Sequence, residues 1–272
     1  MSVVLVTGCS SGFGEAIAAH LARRGDTVYA SMRNPDAASA GLRESGAVVI
    51  SLDVADAAAR AATVERILRE QKRFDVLVNN AGIVASGSVE DTPEGASRAV
   101  FDTNYFAPVE LMRLVLPAMR RQGGGRIVNI SAIGAILSTP LLGIYAASKH
   151  ALDAATAAVD IEGRSFGVRA TSVLPGPFRT EIAVKSPARH LTETYAELDA
   201  AMQRHRARQA SAVTSDYGPV IAAVASAIDH PDPAPRYLAG GGLTLSIARA
   251  TEEMEALHRH ELARAGLLQP AS

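Results

Sequence analysis

The chain has 272 residues, 48% of them hydrophobic, and a formal net charge of -1 from 27 basic and 28 acidic side chains. This length can bury a sizeable core, and the balanced charge argues against nucleic acid or an anionic membrane as a partner. The single cysteine, Cys9, excludes an internal disulfide and a cysteine-built zinc site. The first residues lack a basic signal-peptide region, and no apolar run approaches the roughly 20 residues of a membrane span. We therefore expect a cytoplasmic protein without membrane association.

Short apolar runs alternate with helical patterns along the chain. The runs that predict strands cover residues 3–6, 27–30, 48–52, 76–78, 126–130 and 169–174, and residues 231–242 enclose a short final strand before a charged helix. Residues 13–25 and 57–73 carry apolar side chains at the spacing of amphipathic helices. Apolar strands separated by helices predict right-handed βαβ units. The fold class expected is α/β, a single doubly wound Rossmann domain over residues 1–272 with helices on both faces of a parallel sheet.

A glycine-rich turn, TGCSSGFG at residues 7–14, joins the first strand to the first helix. Its glycines at 8, 12 and 14 permit a tight turn and a close backbone approach to a pyrophosphate. The helix N-terminus then offers free N–H groups and the positive end of its dipole to the phosphates. This arrangement predicts a dinucleotide site, with Cys9 as a small loop residue.

The end of the second strand bears on the choice of cofactor. A carboxylate there would accept hydrogen bonds from an adenosine ribose and select NAD, but Met32 and Arg33 offer none. Arg33 could instead pair with a 2′-phosphate. The pattern favours NADP, with NAD as the alternative if Arg33 is only a solvated loop residue.

Four motifs in order resemble the short-chain dehydrogenase/reductase family over residues 2–180. They are the glycine-rich turn, NNAG at residues 79–82, YAASK at 145–149 and PGPFRT at 175–180. The tail is more similar to the branch of 17β-hydroxysteroid and retinol dehydrogenases. The resemblance implies hydride transfer between a nicotinamide cofactor and a secondary alcohol or ketone. It implies a cofactor site made of Gly8, Ser10, Ser11, Gly12, Phe13, Gly14, Arg33, Asp53, Val54, Asn80, Ala81, Gly82, Tyr145, Lys149, Pro175, Gly176, Phe178 and Thr180.

Within this resemblance, Tyr145 is the catalytic acid or base. Tyr145 and Lys149 are four residues apart and share one face of a helix. A free phenol has a pKa of about 10, and we expect the Lys149 ammonium and the nicotinamide to lower it by about 1–3 units per close charge. Lys149 also holds the nicotinamide ribose, and Asn104 anchors a water-linked proton relay to Lys149. The family further places Asp53 against the adenine.

One position departs from the family pattern. The family's serine, which stabilises the substrate oxygen, lies thirteen residues before the tyrosine, and here that residue is Ala132. Ser131 is one position early. Because successive side chains on a strand point to opposite faces, Ser131 could replace it as a catalytic residue only if the strand has ended or bulged there.

Three explanations of Ala132 stay open. In the first, Ser131, Ser138 or a water supplies the missing hydrogen bond. In the second, a deliberate serine-to-alanine change has disabled the enzyme. In the third, the protein is a non-catalytic NADP-binding regulator, although the intact Tyr145, Lys149 and Asn104 argue against it.

The remaining expectations concern substrate and assembly. Residues 181–210 are predicted to form a substrate lid, and the chain after residue 240 to complete the pocket. Apolar residues in both segments, IAV at 182–184 and LTLSIA at 243–248, favour a hydrophobic small-molecule alcohol or carbonyl substrate. The alanine-rich face of residues 151–167 suits close packing, and by family resemblance we expect a homodimer or homotetramer through it. The scattered histidines predict no metal site.

Overall fold

The computed structural model describes residues 1–182, 189–209 and 213–240. Its strands are β1 (Val3–Val6), β2 (Thr27–Met32), β3 (Val48–Ser51), β4 (Val76–Asn79), β5 (Gly125–Ile130), β6 (Val168–Pro175) and β7 (Arg236–Ala239). All seven pair in parallel in one sheet, in the order β3-β2-β1-β4-β5-β6-β7. The predicted parallel sheet is thus confirmed.

Helices connect the strands in the described part of the chain. They are α1 (Gly12–Arg23), α2 (Ala40–Glu44), α3 (Ala57–Gln71), α4 (Glu94–Phe101), α5 (Ala107–Arg121), α6 (Gly143–Gly163), α7 (Ala196–Gln209) and α8 (Gly218–Asp229). A π-helical turn, Asp102–Phe106, joins α4 to α5. All six predicted strands and the short final strand are present, with ends within two residues of those expected. The charged helix predicted after residue 240 lies outside the described residues.

The strands are apolar on both faces because helices cover both sides of the sheet. Val4 and Val6 of β1 belong to one core layer, which also contains apolar residues of α1 and α8. Val3 and Leu5 belong to the opposite layer, with residues of α3 and α5. This alternation buries all four β1 side chains, which explains why the run shows no polar–apolar period.

The strand order places a crevice at the carboxyl edge of the sheet. β1 pairs with β2 on one side and with β4 on the other. The chain therefore leaves β1 and β4 toward opposite faces, and the loops after them separate. The glycine-rich turn and the NNAG segment, which follow these two strands, meet at this point.

Buried ion pairs fix α6 against the sheet. Asp160 on α6 accepts hydrogen bonds from Arg169 Nε of β6 at 2.7 Å and from the Ala170 amide at 3.1 Å. Arg236 of β7 donates from Nε to Asp153, also on α6, at 3.0 Å. Because both carboxylates are almost fully buried, their positions are well determined. The helix that carries Tyr145 is thereby held in a defined place along β6 and β7.

The described residues contain neither a candidate membrane-spanning helix nor a candidate metal site. Among their helices, none is both long and apolar enough to cross a membrane. No group of three or more His, Cys, Asp or Glu among them is arranged to hold a metal ion.

Candidate active site

A cleft of about 350 Å³ lies where the loops after β1, β4, β5 and β6 converge. The predicted site residues that line it are Gly8, Ser10, Ser11, Gly12, Phe13, Arg33, Asp53, Val54, Asn80, Ala81, Gly82, Ser131, Tyr145, Lys149, Pro175, Gly176, Phe178 and Thr180. Gly14 and Asn104 are not among the lining residues. Leu52, Ile83, Thr103, Ile130 and Pro177 also line the cleft but were not among the predicted site residues.

The glycine-rich turn approaches the NNAG segment too closely for a side chain at residue 8. Gly8 has a φ of 71°, and a Cβ added there would lie 2.7 Å from Ala81 Cα. Gly14 does not face the cleft because its Cα packs against the turn itself, where a Cβ would overlap the Asn80 amide and the Gly8 carbonyl. The absence of side chains at Gly8 and Gly14 therefore allows close packing beneath the cleft and leaves its inner surface unobstructed.

Side chains of Thr7 and Asn80 connect the same two segments. Thr7 Oγ1 accepts hydrogen bonds from the amides of Asn80 and Ala81, both at 3.0 Å. Asn80 Nδ2 donates to the carbonyls of Thr7 at 2.8 Å and Gly8 at 3.1 Å. This reciprocal bonding holds the glycine-rich turn against the NNAG segment. Thr7 was missed as a positioning residue, because its partners are 73 and 74 residues away in sequence.

At one end of the cleft lie Arg33 and Asp53. Arg33 is exposed and follows directly after β2. Asp53 Oδ1 accepts a hydrogen bond from the Ala55 amide at 3.0 Å. A guanidinium thus occupies the position where a carboxylate would favour an unphosphorylated ribose.

Three aromatic rings meet beside the N-terminus of α1. Phe13 contacts Phe178 edge-on, with ring centres 5.3 Å apart, and Tyr217 at 5.1 Å. The Tyr217 hydroxyl donates to the Arg179 carbonyl at 2.7 Å. Tyr217 had no sequence signal, because its neighbours come from distant parts of the chain. The cluster holds the PGPFRT segment against the first turn of α1.

Tyr145 and Lys149 lie on one face of α6, as the spacing predicts, and both line the cleft. Lys149 Nζ donates to the Ile130 carbonyl at 2.8 Å and lies 6.0 Å from the centre of the Tyr145 ring. Burial lowers the pKa of Lys149 to about 8. Burial also raises the pKa of Tyr145 to about 12. Loss of hydration therefore raises the tyrosine pKa in the protein alone, and the lowering expected beside a bound nicotinamide stays a prediction.

Asn104 lies behind the cleft, fully buried in the π-helical turn. Its side chain accepts from the Ile83 amide and donates to the Ile83 carbonyl, each at 2.9 Å. It also donates to Ser148 Oγ at 3.1 Å, and Ser148 in turn donates to the Tyr145 carbonyl at 2.7 Å. A Cβ at Gly82 would be 3.3 Å from Asn104 Oδ1 and 3.7 Å from Lys149 Nζ, so both polar groups approach the same point.

The backbone around Ala132 decides how Ser131 is oriented. The Ser131 amide continues the ladder to β6 by donating to the Val173 carbonyl at 2.8 Å. Ala132 is also extended, with φ -161° and ψ 161°. No bulge intervenes, so the Ser131 hydroxyl and the Ala132 methyl point in opposite directions. Although β5 ends at Ile130, the extended backbone continues to Ala132, so Ser131 does not take the place of a serine at position 132.

Ser131 nevertheless has an unusual hydroxyl. Its side chain is buried, and its Oγ has no hydrogen-bond partner among the described residues. A buried unpaired hydroxyl costs about 1–3 kcal/mol, which a ligand in the cleft could recover. Ser138, the other candidate, is exposed and does not line the cleft.

The predicted lid is described in part. Glu181 and Ile182 line the cleft, and α7 covers much of the remainder of residues 181–210. The other apolar residues expected to contact the substrate, at 183–184 and 243–248, lie outside the described residues.

Comparisons with known proteins agree with this geometry. A family model described as short chain dehydrogenase matches residues 2–191. The chain is similar to a 3-ketodihydrosphingosine reductase of Bacteroides thetaiotaomicron, 36% identical over 178 residues, which are 65% of this chain and 64% of that protein. It is also similar to human dehydrogenase/reductase SDR family member 7, 33% identical over 202 residues, covering 71% of this chain and 60% of that protein.

A crystal structure of a short-chain dehydrogenase from Streptomyces avermitilis resembles the whole chain. It superposes with a TM-score of 0.81 and 32% identity, over 98% of each chain. The matches to the curated relatives are shorter, because they cover under two thirds of the reductase and of the human protein.

The close approach at Gly8 makes a direct prediction about stability. Gly8→Ala should lower the free energy of unfolding by about 2–4 kcal/mol, because it adds a left-handed alanine and an overlap with backbone. Gly41→Ala is the matched control, since nothing lies within 4 Å of its added Cβ. Urea unfolding of both variants measures the difference. Equal stabilities would contradict the close contact between the turn and Ala81.

Proposed function

The chain belongs to the short-chain dehydrogenase family, and we propose that it reduces a ketone, or oxidises the corresponding secondary alcohol, with NADP(H). The observation that carries the proposal is the placement of Tyr145 and Lys149 in the cleft with Asn104 directly behind them. Members of this family generally bind NAD or NADP. The substrate, the direction of the reaction and the preferred cofactor are what we propose for this chain.

The residues of the cleft fit a dinucleotide. The N-terminal turn of α1 faces it. The first N–H groups of a helix have no partner within the helix, so they suit phosphate oxygens here. Gly8 and Gly12, with φ of 71° and 64°, keep the turn free of side chains on the cleft side. Arg33 supplies a charge for a 2′-phosphate at the other end.

The proton chemistry rests on Tyr145. When bound, the nicotinamide supplies or accepts the hydride. With a pKa raised to about 12, Tyr145 is a neutral phenol at pH 7 and is ready to donate its proton to a carbonyl oxygen. The same group takes the proton back when the reaction runs in the oxidative direction.

Lys149 and Asn104 support the tyrosine. With a pKa lowered to about 8, Lys149 is still mostly protonated at neutral pH. Its ammonium would stabilise the phenolate left after proton donation and would hold the nicotinamide ribose. Asn104 would anchor a water-linked proton relay to Lys149, because both groups approach the point beside Gly82.

Ala132 leaves the substrate oxygen without the second donor of the family. Tyr145 then acts as the sole side-chain donor, and we propose that this chain turns over slowly as a result. The Ser131 hydroxyl, which points the other way and is buried, does not replace this donor. A protein that binds NADP without turnover is the second candidate function, and Ala132 is the observation that favours it.

The substrate is proposed to be a hydrophobic ketone. Ile83, Ile130 and Ile182 line the cleft, and Ala132 presents a methyl group. One relative is named a 3-ketodihydrosphingosine reductase, a name that denotes reduction of a keto group. A homodimer or homotetramer through residues 151–167 stays a prediction.

Restoring the serine tests the proposed function. NADPH oxidation would be measured with acetophenone, cyclohexanone and a long-chain aliphatic ketone, for the wild type and for Ala132→Ser. We expect slow reduction by the wild type and a gain of about 10²–10³ in the variant, the size of an oxyanion-donor effect. Ser131→Ala is the matched control and should change the rate by less than about tenfold.

Two results would change the proposed function. No gain in Ala132→Ser, together with loss of activity in Ser131→Ala, would assign the polarising hydroxyl to Ser131. Tight NADPH binding with no turnover by any variant would favour the non-catalytic binder.

Cofactor choice has a separate test at Arg33. Arg33→Ala should weaken NADPH binding by about tenfold to hundredfold, because charge-assisted bonds to the 2′-phosphate are lost. NADH binding should change by less than threefold or so. Arg43→Ala serves as the control, since Arg43 is exposed nearby but does not line the cleft. Fluorescence titration measures all four affinities, and equal losses for both cofactors would contradict the assignment.

A further inference from the structure

We propose that Gly87 is a positioning residue that fastens part of the substrate lid to the helix bearing Tyr145. The lid part is residues 189–195, here called the strap. The loop of residues 86–91 lies between the strap and the start of α6, and it contacts both. The claim that this affects substrate binding rests on the proposed function, whereas the physical coupling does not.

The strap docks on Gly87 through backbone contact. The His190 amide donates to the Ser86 carbonyl at 2.8 Å, and Gly87 pairs with His190 as an isolated parallel bridge. A Cβ added at Gly87 would overlap the His190 carbonyl oxygen. Because the overlapping atom belongs to the backbone, the strap could not keep its position by moving a side chain.

Two carboxylates extend this docking along the strap. Asp91 accepts from the Thr192 amide at 3.0 Å and from its hydroxyl at 3.1 Å. The hydrogen bond from the Thr192 amide holds the pKa of Asp91 below its usual value. Glu90 accepts from the Tyr195 hydroxyl at 2.6 Å. The strap is therefore bound at its beginning, middle and end.

The same loop contacts the entry of α6 at two points. The Gly87 amide donates to the Leu141 carbonyl at 2.9 Å. Leu141 is buried and has a φ of 64°, an unfavourable conformation for a leucine that the surroundings must maintain. Val89 also packs against Gly143, the first residue of α6, where a Cβ would lie 2.8 Å from Val89 Cγ2.

The Gly87 amide is thus hydrogen-bonded to Leu141 at the entry of α6. The absence of a side chain at Gly87 allows the strap to pack against it. Tyr145 lies in the first turn of α6, two residues after Gly143. A change that displaces the strap from Gly87 should therefore also loosen the turn that positions Tyr145. Of the predicted cofactor residues, only Tyr145 and Lys149 lie on α6, and the others come from the loops after β1, β2, β3, β4 and β6. Binding of the cofactor should therefore change little.

The test compares Gly87→Ala with Gly95→Ala, whose added Cβ meets nothing within 4 Å. Hydrogen exchange should become at least about tenfold faster in residues 189–195 and in residues 141–147 of Gly87→Ala only. The KM for the ketone found in the panel should rise by about tenfold or more, because the substrate enclosure and Tyr145 are both displaced. NADPH affinity should stay within about twofold of the wild type.

Several outcomes would overturn the proposal. They are unchanged exchange in either segment, an unchanged KM, or NADPH affinity lost in parallel with KM. If Gly87→Ala does not fold, Asp91→Ala removes the acceptor for Thr192 without adding volume, and the same exchange criteria apply to it. If no ketone is reduced, the proposed function fails, and the exchange result alone still decides whether the strap and α6 are coupled.

Discussion

The bond from Lys149 to the Ile130 carbonyl is the constraint on which the site depends. It is a 2.8 Å contact from a buried ammonium, and it joins α6 to the end of β5. Because the same strand end leads into Ser131 and Ala132, this bond fixes Tyr145 relative to the position where the family has its serine. Ion pairs from Asp153 and Asp160 hold the rest of α6 to β6 and β7. The geometry of proton donation is therefore set by buried polar contacts, which are costly to break.

Cofactor and substrate sides of the cleft are built in different ways. The cofactor side consists of strand-end loops tied together by Thr7 and Asn80 and packed through glycine without side chains. The proposed substrate side has the strap and the entry of α6, which meet around Gly87. Rigid loops suit a common cofactor, whereas a lid held by a few contacts allows substrate choice to vary. Ala132 lies at the boundary between these two sides.

Much of the fold was predictable because apolar runs and helical spacing are local signals. The strands and the parallel sheet follow from such signals, whereas the cleft-lining residues were predicted from the resemblance of four motifs to a known family. Thr7, Ser148 and Tyr217 were missed because their roles arise from partners distant in sequence. The burial that raises the Tyr145 pKa in the protein alone could not be predicted, because charge spacing can be read from a sequence and burial cannot. The orientation of Ser131 required the backbone of Ala132, which only the structure supplies.

The most direct test of the account is single-turnover oxidation of NADPH by the wild type and Tyr145→Phe across a range of pH. The account predicts that the variant binds NADPH normally but reduces ketone about 10²–10⁴-fold more slowly, since it has no proton to donate. The wild-type rate should be level near neutral pH and fall above about pH 8, where Lys149 loses its proton while Tyr145 remains a phenol. Equal rates for the two proteins would contradict the central role of Tyr145.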